Sequence, residues 1–154
     1  MASREKVRRG VRNARNLLRQ HGYHVRTRTK DLVLWFKAES PFDSGGLNEL
    51  LAEPLLVVHE LVEIELVKMM GLRLTKKVIV NNLRVVDRAH LEAAKTELTI
   101  AANIGAVEHI RSRIPDIESW ISDASVSKEH RAEYRKLLAR ARKSLARMDL
   151  KDEA

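Results

Sequence analysis

Residues 54–70, PLLVVHELVEIELVKMM, decide how the rest of the chain is read. Pro54 suits the first turn of a helix, where a backbone N–H has no partner anyway, and Gly71 supplies a left-handed stop just beyond. The stretch therefore predicts one helix over 54–70. Wound at about 100° per residue, its apolar side chains cover nearly the whole circumference. Leu56, Val67 and Met70 fall on one side, and Val57, Leu61 and Ile64 on another. A helix apolar all round is buried on most sides, and the fold is expected to be a helical bundle.

Into that apolar wall the sequence sets His59, Glu60 and Glu63. His59 and Glu63 are one turn apart on the same face, flanked by Leu56, Val67 and Met70. Desolvating a lone carboxylate is very costly, so charged groups there must be paired or must hold a ligand. Glu65 and Lys68, on the other side, read as an ordinary exposed pair.

A long helix is expected from Leu83 to Arg113, bent at Gly105, with His90, Ala94, Glu97, Ala101, Ile104 and Glu108 along one line. Folded antiparallel, the two helices set His59 opposite Glu97 and Glu63 opposite His90. The quartet His59, Glu63, His90 and Glu97 is thus the candidate site for a divalent metal such as Zn, Mn or Fe. The competing reading is two buried hydrogen-bonded His–Glu pairs with no ion.

The run His59-Glu60-Leu61-Val62-Glu63 resembles the HExxH motif of zinc peptidases up to its last position. There Glu63 replaces the second histidine ligand, and no glycine–histidine continuation follows. The two Glu-x-x-His repeats of di-iron bundles are absent too. Neither family is adopted, and no nucleotide-binding loop or nucleophile elbow occurs.

Working outward, Ser3 caps a first helix over 3–21 that carries Val7, Val11, Ala14, Leu17 and Leu18 at helical spacing and stops at Gly22. Val25, Thr27, Thr29, Val33, Trp35 and Phe36 favour strands, so a small two-stranded β-hairpin is expected over about 23–38, turning near Lys30-Asp31. Residues 39–46 read as a loop, 47–52 as a short helix, and Thr75 to Val80 as a turn or two of helix. Pro115 is expected to open a short helix through Ile121, and Ser127 to cap a final basic helix over 128–148. The fold class is mainly α, a single domain over 1–148 with a short charged tail at 149–154.

The charge is lopsided. Residues 1–30 hold ten basic groups and one acid, residues 31–127 are net −5, and residues 128–154 are net +4. Arg8, Arg12, Arg15 and Arg19 form one row on the first helix, which makes sequence-independent nucleic-acid binding the alternative function. Tyr23, Trp35 and Phe36 are the aromatic groups near that row. The bland alternative is a solvated arginine face, and a third reading is a ligand-free structural or homo-oligomeric module that uses helix 54–70 as an interface. His21, His24, His109 and His130 read as surface or helix-end residues.

With 154 residues and 44% hydrophobic side chains the chain can build a real core, and with no cysteine it can form neither disulfide nor thiolate site. No leader pattern and no apolar run near the roughly 20 residues of a membrane span is present, so cytoplasm is the expected compartment. Arginine outnumbers lysine, 18 to 11, and glutamine occurs once, a composition leaning towards thermophilic proteins.

Overall fold

A computed structural model describes residues 2–41 and 45–153, with side chains through Lys151. Among these residues are seven helices: α1 (Arg4–Gln20), α2 (Thr29–Lys37), α3 (Leu47–Leu51), α4 (Pro54–Met69), α5 (Leu83–Asn103), α6 (Val107–Ser122) and α7 (Lys128–Glu153). The chain divides into two compact units, Met1–Ala93 and Ala94–Ala154, with the boundary inside α5.

In the first unit α4 is the hub, touched by α1, α2 and α3. Leu55, Val57, Val58, Leu61, Val62, Ile64 and Val67 are all buried, as its continuous apolar surface requires. Val7, Val11, Ala14 and Leu18 give α1 its buried stripe, and Ser3 caps it by accepting a hydrogen bond from the Lys6 N–H at 3.2 Å.

The β-hairpin expected over 23–38 is not there, and the described residues contain no strand. Residues 23–28 form no regular element and alternate in exposure, and the segment docks on a helix instead of a second strand. Thr27 Oγ1 donates to Leu61 O at 2.9 Å and to Glu65 Oε2 at 3.0 Å, and the Arg26 N–H donates to Glu65 Oε2 at 3.0 Å. The second half coils into α2. Asp31 starts it by accepting the Arg28 N–H at 2.8 Å, while Leu32 and Trp35, one turn apart, are buried beside α4. Burial at a three-residue spacing outweighs the strand preference of Val33, Trp35 and Phe36.

The exposed Glu65–Lys68 pair is corrected by the same segment. Glu65 is taken by Arg26 and Thr27, and Lys68 Nζ binds Asp31 Oδ2 at 3.2 Å. Of the loop expected at 39–46, residues 42–44 lie outside the described residues.

The long helix expected from 83 to 113 is broken, not bent. Gly105 adopts φ 71°, a left-handed conformation, and the Ala106 N–H bonds Ala101 O at 2.9 Å, the six-to-one closure of a helix end. Ile104 and Glu108 therefore leave the line that holds His90, Ala94, Glu97 and Ala101, and Ile104 is exposed. Because α6 restarts at Val107, Pro115 falls within that helix and does not open one. In the second unit α6 packs along α7, with Ile110, Ile117, Tyr134, Leu137 and Ala141 buried. Ser127 caps α7 through the His130 N–H at 3.1 Å.

Candidate metal centre

The polar side chains of α4 are where its apolar surface demands an explanation. His59 is 3% exposed and Glu63 6%. Their one-turn spacing on a rigid helix brings His59 Nε2 to 3.2 Å from Glu63 Oε2. Glu60 points its carboxylate to the same place, so one nitrogen and two carboxylate oxygens, from His59, Glu60 and Glu63, all lie within 4.8 Å of one another. Glu60 is fixed from outside its own helix, since Trp35 Nε1 on α2 donates to Glu60 Oε2 at 3.0 Å. From α5, His90 sets its ring edge against His59, with centroids 4.8 Å apart at 65°. This buried histidine–carboxylate cluster can hold a metal ion.

The His59–Glu63 separation suits a common ion as well as a hydrogen bond. Two donors about 2.0–2.1 Å from a tetrahedral metal are about 3.3 Å apart, and His59 Nε2 and Glu63 Oε2 are separated by 3.2 Å.

Of the four candidate residues, the structure sets His59 against Glu63 and, by ring contact, against His90. Glu97 lies on the part of α5 that belongs to the second unit, and it is fully buried. There it accepts two bonds from Arg113, Nε at 2.8 Å and Nη2 at 3.1 Å, and one from His109 Nε2 at 2.6 Å. The Arg113 guanidinium also binds Asp116 at 2.9 Å and lies 5.0 Å from the Trp120 ring centroid. His109 is accordingly a buried-network partner and not the surface residue its surroundings in sequence imply. His21 does end a helix, with Nδ1 3.0 Å from Leu17 O.

Sequence reasoning missed Glu60 as a ligand-bearing residue, because position i+1 lies about 100° from His59 and shares no face with it. Its signal is the Trp35 contact, 25 residues away. Trp35 itself is buried and engaged, so it is not a stacking platform.

The arginine row of α1 meets a different fate. Arg8, Arg12, Arg15 and Arg19 line one groove of about 390 Å³ together with Arg28 and Thr29 at the start of α2. Glu5 is shared by Arg8 at 3.4 Å and Arg12 at 3.9 Å. No described helix is long and apolar enough to cross a membrane. Compared with protein-family models, with curated proteins and with solved structures, the chain matches none.

Proposed function

We propose that the chain is a divalent-metal-binding protein, with His59, Glu60, Glu63 and His90 as the donor set. The observation that supports it is the convergence of an imidazole nitrogen and two carboxylate oxygens within 4.8 Å at a mostly buried point of an apolar helix. Two carboxylates and two neutral imidazoles balance a dication, which removes the cost of burying those carboxylates alone. Mixed nitrogen and oxygen donors suit Zn, Mn or Fe(II).

Elemental analysis of gently purified protein tests this, together with thermal melts in EDTA and in added zinc or manganese. The expected result is one equivalent of metal, with wild-type stability rising by about 2.7 kcal/mol at a hundredfold excess over the dissociation constant. Glu63→Ala should lose most of that increment. A metal-free wild type whose melting ignores both metal and chelator, beside a Glu63→Ala variant that melts lower in every condition, would reduce the cluster to a buried hydrogen-bonded pair.

A further inference from the structure

We infer that the groove between α1 and the start of α2 binds the phosphodiester backbone of a nucleic acid without reading its bases. The inference is independent of the metal centre. Five arginines, Arg8, Arg12, Arg15, Arg19 and Arg28, line this one concavity. Their acidic partners are few: exposed Glu5 serves Arg8 and Arg12, and buried Asp31 lies 3.9 Å from Arg28 Nε while also binding Lys68. Among the described residues no acid pairs with Arg15 or Arg19. Several clustered cations are thus left over. The planar guanidinium fork, unlike an ammonium, matches two oxygens of one phosphate.

The groove also receives the positive end of a helix. Arg28 and Thr29 are the N-cap and first residue of nine-residue α2, and both line it.

The length of the row selects a chain over a compact anion. Arg8 to Arg19 spans about 16.5 Å at 1.5 Å per residue. A nucleic-acid strand carries one phosphate per nucleotide, about every 3.4 Å where it is stacked as in a duplex, so a row of this length meets several successive phosphates. A single phosphate would engage one or two of the arginines and leave the others repelling one another. The remaining lining residues are Val11, Asn16 and Thr29, with no aromatic ring for a base to stack upon. Recognition is therefore of phosphates alone.

The test is fluorescence anisotropy with labelled single-stranded oligonucleotides of different sequence, across a salt series. Four arginines on phosphates give a slope of log K against log salt near −2.8, about a fiftyfold loss between 50 and 200 mM. The variant carrying Arg8→Gln, Arg12→Gln, Arg15→Gln and Arg19→Gln should lose at least tenfold in affinity at low salt, flatten the slope, and leave no sequence preference behind. A charge-matched variant with Arg135, Arg140, Lys143 and Arg147 of α7 changed to glutamine should stay within about threefold of wild type. Circular dichroism and melting of both variants check the fold, and Arg12→Gln with Arg19→Gln serves if the fourfold change does not fold. Equal losses in the two fourfold variants would overturn the inference, because net charge alone would then explain binding. So would displacement of the oligonucleotide by inorganic triphosphate at equal phosphate concentration, or absence of binding at low salt.

Discussion

Glu97 offers the sharpest test of how the second unit is held together. Its carboxylate is fully buried, accepts two bonds from Arg113 and one from His109, and is replaced in the variant Glu97→Ala by a methyl group. The loss is not one of carboxylate contacts alone. The Arg113 side chain is only 12% exposed, so its guanidinium is left largely desolvated with half its partners gone. Breaking a buried ion pair from one side costs about 3–5 kcal/mol. Asp116 at 2.9 Å and the face of Trp120 remain for the cation, which places the expected loss near the lower end, about 3 kcal/mol. For a chain of this size each kcal/mol moves the melting temperature by about 2–4 °C, hence a drop of about 6–12 °C.

The pairing predicts strong non-additivity. Arg113→Met strands the carboxylate and should cost at least as much as Glu97→Ala. Glu97→Leu combined with Arg113→Met removes both charges together and should be more stable than either single change. Urea and thermal unfolding followed by circular dichroism at constant pH would measure all of these, and the penalty of Glu97→Ala is expected to be the same with zinc as with EDTA. A loss under 1 kcal/mol for Glu97→Ala, or a double variant whose loss equals the two single losses added, would refute the reasoning.

Two further outcomes are expected. Thr27→Val removes a fully buried hydroxyl that binds Leu61 O and Glu65, and should cost about 1.5–3 kcal/mol in urea unfolding, against about 1 kcal/mol for Thr27→Ser, which keeps the hydroxyl; a Val variant as stable as wild type would mean the extended arm is not pinned there. Asp123 is held below the ordinary carboxylate range by the Ser125 hydroxyl, then by the Ser125 N–H, with Arg131 adding a smaller effect. A depressed folded value contributes stability above the unfolded carboxylate pKa of about 3.9 and loses it as pH falls through the folded value. Ser125→Ala should raise the Asp123 pKa in an NMR titration and be less stable than wild type at neutral pH, the two converging in acid; an unmoved Asp123 would show the hydroxyl is not the cause.

What the sequence made legible follows the range of the interaction concerned. Ser3, Gly22, Pro54, Gly71 and Ser127 act within a turn of themselves, and the helix ends they imply are present in α1, α4 and α7. The burial of His59 and Glu63 was legible for the same reason, since their spacing and apolar flanks lie on one helix. Residues 23–38 were not, because what coils them is distant. Trp35 reaches Glu60, Lys68 reaches Asp31, and Thr27 reaches Glu65, at separations of 25, 37 and 38 residues. Propensity alone favours a strand for Val, Thr and aromatic residues, and tertiary burial decided otherwise. Glu97 shows the same limit. Its helical line suggested a partner on α4, while Arg113 and His109, 16 and 12 residues away, are what its own unit supplies.

The arm and helix that stand where the sequence favours a hairpin border both candidate sites of the first unit. Arg28 and Thr29 open α2 on the arginine groove, and Trp35, about 9 Å further along the same helix, holds the Glu60 carboxylate beside His59 and Glu63. Just upstream, Arg26 and Thr27 fix Glu65 on another side of α4. Two of the carboxylates on α4 are therefore oriented by one stretch of ten residues, 26–35. His59 and Glu63 fix each other within α4, while Glu60 and Glu65 are held by donors from outside it, and a lone side chain retains rotamer freedom that burial must remove at a cost. Donors on a separate, packed element remove that freedom at the time of folding, so that Glu60 converges on the His59–Glu63 edge without being spaced for it in the helix. The same packing requirement explains why this arm cannot remain a solvated hairpin. Thr27 and Trp35 are buried beside α4, and the hydroxyl, indole and amide groups of the arm satisfy two half-buried carboxylates of α4, Glu60 and Glu65.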